Sequence, residues 1–406
     1  MTQTNGPSGA AMAVLIPEFP QQTHIAWWRV ANAMRGHGQR VHLMSTRRAR
    51  NVEGVHHVLQ AELPRTLFAW PPAIRMTAGE MLRNPAAILR AVRYLAGLPQ
   101  STAVQKARLL PLVPAAAHLV ALCRRHNIDR VFVHSCANAA HLLAIAHAMS
   151  GLRYALRLGG DPQVYGKDHS HKMAGASFIA CGAPVYFEEL IRDHDVPASK
   201  LVWTWVGVDL TSCSPSEDWP AQSEPGRLRL VSVARLNPTK GHADVLAAIK
   251  RLKEEGVLVR YTIIGEGPHR ATIEAQVTQL GLEDEVTLTG ALDHGNVVAE
   301  LRRSDVHVLA SFGLGESSPA VVSEAMACGL PTVCTVIGAT QEMVRDGEDG
   351  YLVPQRDVDA LADRLGRLAR DPELLRAMKS AALPASEKFD VRGVARKIID
   401  WFDRFA

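Results

Sequence analysis

Short apolar runs separated by stretches of helical periodicity recur along most of this 406-residue chain. In the first half, Ala13–Ile16, Val41–Met44, Arg130–Val133, Tyr154–Arg157 and Phe178–Cys181 read as strands, with helices over Ile25–Arg35 and Ala139–Met149. Residues 60–125 read as helical and irregular. The second half is more regular. Leu228–Val233, Tyr261–Ile264, Val286–Leu288, Val306–Leu309 and Thr332–Cys334 are strands spaced by amphipathic helices. Runs with no polar face suit a parallel sheet covered by helices on both sides. The prediction is an α/β chain of two doubly wound, Rossmann-like domains facing across a cleft, and such sheets bind ligands at the carboxyl ends of their strands. The polar, Ser- and Pro-rich stretch Thr211–Pro225 reads as a linker. Boundaries therefore fall at 1–206 and 207–386, and residues 387–406, with a helix over Val391–Phe405, are expected to pack back on the first domain.

Composition narrows the classes. A hydrophobic share of 47% suits two full cores, and a formal net charge of +4 is too small to favour nucleic acid, which needs a clustered basic face. Cys123, Cys136, Cys181, Cys213, Cys328 and Cys334 lack CxxC spacing, so they read as reduced core thiols of a cytoplasmic protein. No converging set of metal ligands is evident. Asp357-Val-Asp359 has DxD spacing but opens a helix, where capping explains it. The N-terminus lacks the basic region of a signal peptide, and the apolar stretch Leu109–Cys123 is broken by Pro111 and Pro114 and too short to span a bilayer. Arginines among apolar residues in the 47–125 region (Arg75, Arg83, Arg90 and Arg93 among them) leave peripheral contact with the inner membrane face open, although a solvated helical face is the simpler reading.

The chemistry concentrates in Gly315–Pro331. Glu316 and Glu324 flank a helix start for which Ser318 is the expected N-cap, Pro319 the first helical residue and Gly329 the stop. A helix N-terminus suits a phosphate, and carboxylates suit the hydroxyls of a sugar or ribose. Glu324 lies at the edge of the stripe formed by Val321, Ala325 and Cys328, so it should be half-buried and need a partner, an arginine or a ribose diol. Three further loops follow strands. Arg235 to Gly241 puts Arg235 and Lys240 on a strand-to-helix turn, either as diphosphate ligands or as solvent-facing cations. Gly265-Glu266-Gly267-Pro268 is a tight turn that lets a ligand approach the backbone. Ile337 to Glu342 either joins the site or caps a helix.

This combination resembles the GT-B retaining glycosyltransferases of family 4, in the group 1, exopolysaccharide-type class. Arg235 and Lys240 match the family's RL…KG signature, Gly265 to Pro268 its GxGP turn, and Glu316 with Glu324 its paired glutamates; Val344–Val353 matches the turn and strand that usually follow, and Val208-Asp209 its hinge. The resemblance implies a nucleotide-diphosphate sugar as donor substrate, no further cofactor and no metal. Arg235 and Lys240 would contact the diphosphate, Glu316 the transferred sugar and Glu324 the ribose; Gly265, Glu266, Gly267, Ser317 and Ser318 complete the donor set.

The first domain matches more loosely. Phe19-Pro20 with Thr23, and Ile128–His134, resemble exopolysaccharide-type members, whose acceptor is a saccharide or lipid-linked saccharide. His134, as a catalytic candidate, and His24 with Asp161, on the acceptor side, are the residues available there. The family's histidine a few residues before the Asp is missing from Arg157-Leu-Gly-Gly-Asp161. A sugar-nucleotide epimerase or phosphorylase on the same scaffold, or a non-catalytic nucleotide-sugar binder, remain as alternatives to a glycosyltransferase of polysaccharide or glycoconjugate synthesis.

Overall fold

The computed structural model describes residues 11–19, 25–48, 65–66, 73–216 and 225–405. The chain divides into two compact units: Met1–Gly207 with Val391–Ala406, and Val208–Asp390.

The first unit runs β1 (Ala11–Phe19), α1 (Ile25–Gly36), β2 (Val41–Arg48), β3 (Arg65–Thr66), α2 (Ala73–Arg83), α3 (Pro85–Ala96), α4 (Ala103–Leu109), α5 (Leu112–Arg125), β4 (Ile128–Val133), α6 (Asn138–Ser150), β5 (Arg153–Leu158), α7 (His169–Ala174), β6 (Ile179–Cys181), α8 (Val185–His194) and β7 (Leu201–Trp203). Its seven strands form a parallel sheet in the order β3-β2-β1-β4-β5-β6-β7. The central strands are sealed on both faces: Ala11 to Leu15 and Val131 to Val133 have no exposed surface. This burial is what made them legible as continuous apolar runs.

The second unit runs β8 (Arg227–Val233), α9 (His242–Glu254), β9 (Leu258–Ile264), α10 (Arg270–Leu280), β10 (Val286–Gly290), α11 (His294–Arg303), β11 (Val306–Leu309), α12 (Ala320–Ala327), β12 (Thr332–Thr335), α13 (Thr340–Met343), β13 (Gly350–Val353), α14 (Val358–Arg370) and α15 (Pro372–Ala385). The sheet is again parallel, ordered β10-β9-β8-β11-β12-β13. Asp357 caps α14 by accepting from the Ala360 N–H at 2.9 Å, as its sequence position suggested.

The final helix, α16 (Val391–Arg404), packs against α1 and sets Phe402 edge-on to Phe178 at 4.9 Å in the first unit. The return to that unit begins at Val391 rather than at residue 387. Phe389 is fully buried in the second unit, its carbonyl accepts the Val208 N–H at 2.8 Å, and Asp390 bridges to Val208. Residues 211–216 are also less free than a linker: Cys213 is buried and Arg302 Nε donates to the Ser214 carbonyl at 2.7 Å.

The apolar stretch of the first unit is longer than the sequence suggested. Ala103–Arg125 is long and apolar enough to cross a membrane by composition, with mean hydropathy 1.3, but 56% of its apolar window is buried inside the unit. Its second helix, α5, packs on α2, α6 and β4, the behaviour of a core helix.

A charge cluster around the buried Asp305 and Lys379 ties the second unit together. The Asp305 carboxylate accepts from Arg229 at 2.9 and 3.0 Å and from Lys379 at 2.9 Å, joining β8, the turn into β11 and α15. Burial by itself would raise the Asp305 pKa, but Arg229 and Lys379 outweigh it and hold the group down to about 2. A depressed carboxylate pKa contributes stability that is present above about pH 4 and lost as pH falls through the folded value. Asp305→Asn should therefore lower stability by about 3–5 kcal/mol near pH 7, because it leaves Lys379 buried without its counter-charge. In urea titrations the gap to the wild type should shrink as pH approaches 2; an equal gap at both pH values would refute this assignment.

Candidate functional site

In a sheet ordered β10-β9-β8-β11-β12-β13, the strand order reverses between β8 and β11. The loops leaving those two strands diverge to opposite faces and open a crevice, the usual ligand site of a doubly wound domain. The loop after β8 carries Arg235 and Lys240; the loop after β11 carries Glu316, Ser317 and Ser318. Topology thus brings together the motifs singled out in the sequence.

Backbone hydrogen bonds fix these loops to one another. The Leu236 N–H donates to the Glu266 carbonyl at 2.9 Å, and the Leu236 carbonyl accepts from His269 at 3.1 Å. The Phe312 N–H reaches the Thr239 carbonyl at 2.9 Å, and the Ala339 N–H reaches the Ser317 carbonyl at 2.6 Å. Glycine is required at the closest approaches. Gly241 has φ +69°, and a Cβ there would run into the Ala310 carbonyl; at Gly265, with φ +148°, it would meet the Ala234 carbonyl.

Lys240 forms an ion pair with Glu316, with side-chain exposures of 22% and 12%. Burial and the neighbouring Arg235 draw the lysine pKa down to about 8, while the Glu316 carboxylate opposes them by favouring the charged form. Glu316 therefore has a structural partner that the sequence did not reveal. Arg235 is exposed at the start of the same loop. Ser317 is buried, and its hydroxyl has no hydrogen-bond partner among the described residues.

Two expectations at this helix change. Ser318 is not the N-cap: Pro319 holds that position with ψ 111°, α12 starts at Ala320, and the Ser318 hydroxyl points to Met343 Sδ at 3.9 Å. An extended Pro319 delays the helix by one residue, while Gly329, with φ +77°, follows its end as expected. Glu324 is half-buried as expected, and His294 Nδ1 lies 3.8 Å from its carboxylate.

The remaining candidates scatter. Glu266 is exposed and paired with Arg270 at 2.7 Å, and Gly267 packs beneath Leu236. Thr340 opens the short helix α13 and its hydroxyl accepts the Ile337 N–H at 2.9 Å within the preceding turn, but the N-cap, Ala339, has no side-chain cap. In the first unit, His134 leaves the end of β4 and stacks on Trp27 with ring centroids 4.3 Å apart. Arg157 lies over the same indole at 5.1 Å, fully buried, and burial lowers its pKa to about 10. Asp161 opens the short turn Pro162–Tyr165, and its carbonyl accepts the Val164 N–H at 3.1 Å. His24, Pro20 and Thr23 lie outside the described residues.

Sequence reasoning missed Trp27, which has no motif of its own, and the neighbours of Glu324. Cys213, His294 and Glu324 each offer a ligand atom within 4.8 Å of the others, a converging set that spacing along the chain concealed.

Comparison with known proteins locates this geometry. Residues 215–383 match the family model described as glycosyl transferases group 1. Those residues form a group 1 glycosyl transferase domain. This group 1 domain contains both strands of the reversal point and all four motif loops. The chain is 34% identical over 208 residues to a putative colanic acid biosynthesis glycosyltransferase, WcaL, of Escherichia coli K12, covering 50% of each chain. It is 31% identical over 184 residues to the amylovoran biosynthesis glycosyltransferase AmsK of Erwinia amylovora, covering 44% of this chain and 45% of that one. The chain thus spans about half the length of the curated relatives it matches.

Solved structures extend the likeness of fold beyond the group 1 domain. A glycosyltransferase from Rickettsia africae aligns over 98% of both chains with TM-score 0.72 at 15% identity. HepE from Anabaena, in complex with UDP and glucose, aligns over 97% of this chain and all of its own with TM-score 0.72 at 18% identity. The fold is the GT-B type of these enzymes.

Gly241 makes the geometry testable. Gly241→Ala must keep a left-handed residue, at about 1–2 kcal/mol, and also displace the Ala310 carbonyl. Gly256→Ala, at φ +81° with open space around its Cβ, bears the conformational cost alone. Urea unfolding should show a larger loss for Gly241→Ala than for Gly256→Ala; equal losses would mean that the loop after β8 is not held against β11.

Proposed function

We propose that this chain is a retaining glycosyltransferase that moves a sugar from a nucleotide-diphosphate sugar to an acceptor hydroxyl, in polysaccharide or glycoconjugate synthesis. The observation that carries the reading is the Lys240–Glu316 pair at the reversal point of the group 1 domain, beside the buried hydroxyl of Ser317, unpartnered among the described residues. A cation and a carboxylate already in contact suit a ligand that is anionic at one end and rich in hydroxyls at the other. HepE binds UDP and glucose on the same fold, which supports a donor of this chemistry.

In this reading the donor diphosphate lies against Arg235 and Lys240 and the N-terminus of α12. Fixed positive charge at the departing oxygen stabilises the transition state more than the ground state, so the leaving group needs no metal here. Glu316, released from part of its contact with Lys240, accepts hydrogen bonds from the sugar hydroxyls and sets the anomeric carbon. Glu324 accepts from the ribose diol. Retention places the entering and leaving groups on one face of the sugar, so a diphosphate oxygen is positioned to take the acceptor proton.

The first unit supplies the acceptor side, with His134 and Asp161 as its candidate groups. The acceptor is a saccharide, lipid-linked in the membrane-associated case, and the exposed Leu82, Leu89 and Val92 near Arg83, Arg90 and Arg93 are the surface for peripheral contact. Six buried, unbridged thiols agree with a cytoplasmic location.

Nucleotide sugars should raise the melting temperature by linkage, which identifies the donor. With that donor, Glu316→Ala should keep binding and lose about 100- to 1,000-fold in turnover. Glu324→Ala should weaken donor binding by about 1.5–3 kcal/mol, the worth of hydrogen bonds to a charged group. Tight donor binding with no product in the wild type, or release of nucleotide diphosphate without a glycosylated acceptor, would overturn the transferase reading in favour of a binder or an epimerase.

A further inference from the structure

Around the carboxylate of Glu324 the second unit assembles groups that neither a ribose contact nor core packing calls for. Cys213 Sγ lies 3.9 Å from His294 Nε2, and His294 Nδ1 lies 3.8 Å from Glu324 Oε1. One ligand atom from each residue falls within 4.8 Å of the other two. A second thiol, Cys328, donates a hydrogen bond to Cys213 from the residue that ends α12. Cys213 is buried, and His294 and Glu324 are half-buried.

Each member is held by its own backbone. Cys213 closes a turn through its N–H to the Asp209 carbonyl at 3.1 Å, and Arg302 pins the next residue at 2.7 Å. His294 is the first residue of α11, whose N-cap Asp293 accepts the Asn296 N–H at 3.0 Å. Glu324 and Cys328 lie one helical turn apart along α12 and its C-cap. The cluster therefore joins three separate segments of one unit without a loop that must fold over it.

From this arrangement we infer a binding site for a thiophilic divalent cation, of the zinc class, formed by Cys213, His294 and Glu324 with Cys328 as the fourth ligand. Thiolate, imidazole and carboxylate are the ligand types of zinc, and tetrahedral ligands at about 2.0–2.3 Å from the ion stand about 3.4–3.8 Å apart. One ligand atom from each of the three residues already lies within 4.8 Å of the others, so binding requires a contraction of about 1 Å. Binding forms a bond from the ion to each sulfur, releases the Cys213 and Cys328 thiol protons to solvent and gives up the hydrogen bond between the two thiols. Because Glu324 is the ribose ligand of the proposed donor site, the ion and the nucleotide sugar compete for one carboxylate; this second statement rests on the donor reading, and the first does not.

The test uses the full chain and Zn2+ alone, titrated against a chromophoric chelator, with Co2+ as a spectroscopic reporter. One equivalent should bind, with proton release and a thiolate-to-cobalt charge-transfer band in the near ultraviolet. Cys213→Ser should remove the band and weaken zinc binding by at least about tenfold, with an unchanged unfolding midpoint in the absence of metal. His294→Ala should weaken it similarly and keep the thiolate band at higher Co2+. Absence of stoichiometric binding, or equal affinity in the wild type and Cys213→Ser, would overturn the site. Added donor should lower the zinc affinity of the wild type. Binding that depends on Cys213 yet ignores a donor known to bind upholds the metal site and removes ribose from Glu324.

Discussion

Leu236 is the residue on which the chemistry of the second unit depends, although it carries no reactive group. Its N–H and carbonyl both bond to the turn after β9, and this double bond between loops sets where Arg235 and Lys240 emerge. A residue with 0% exposure anchors the loop from below, so the cations above it need little support of their own. The glycines at 241 and 265 serve the same end by letting backbone meet backbone. Charge at the crevice is thereby carried on a frame of main-chain hydrogen bonds, which is stiffer than one built from side chains.

The parts of the fold that were legible are those buried on two sides. β1, β4, β8 and β11 were each visible as apolar runs because a central parallel strand has no polar face. β3 and β7 were not, being two and three residues long at the two edges of their sheet, where too few positions alternate to make a pattern. β13 was anticipated only through family resemblance. Lys240 and Glu316 could each be marked from local sequence, yet their pairing could not, because it arises from β8 lying next to β11 after a crossover. The same is true of His294 beside Glu324: a contact between the start of one helix and the middle of another leaves no trace in either helix.

The two reversal points offer a contrast. In the second unit the loops carry paired charge over a frame of backbone bonds. In the first, the residue leaving β4 is a histidine stacked on Trp27, with the guanidinium of Arg157 over the same indole. Aromatic stacking and a buried cation fix orientation with little exposed charge. One reversal point carries a cation paired with a carboxylate, the other a stack around a buried indole. That difference does not follow from the shared fold, since the two sheets have the same kind of strand order.

Helix α16 gives the chain an order of assembly. The second unit is one uninterrupted segment, Val208–Asp390, whereas the core of the first contains Phe402 against Phe178 and is complete only with Val391–Arg404. During vectorial synthesis, the ribosome has made every strand of the first sheet long before the helix that covers Phe178 exists. The unit begun first is therefore finished last, and a nascent chain must carry an exposed aromatic edge through the whole synthesis of its neighbour.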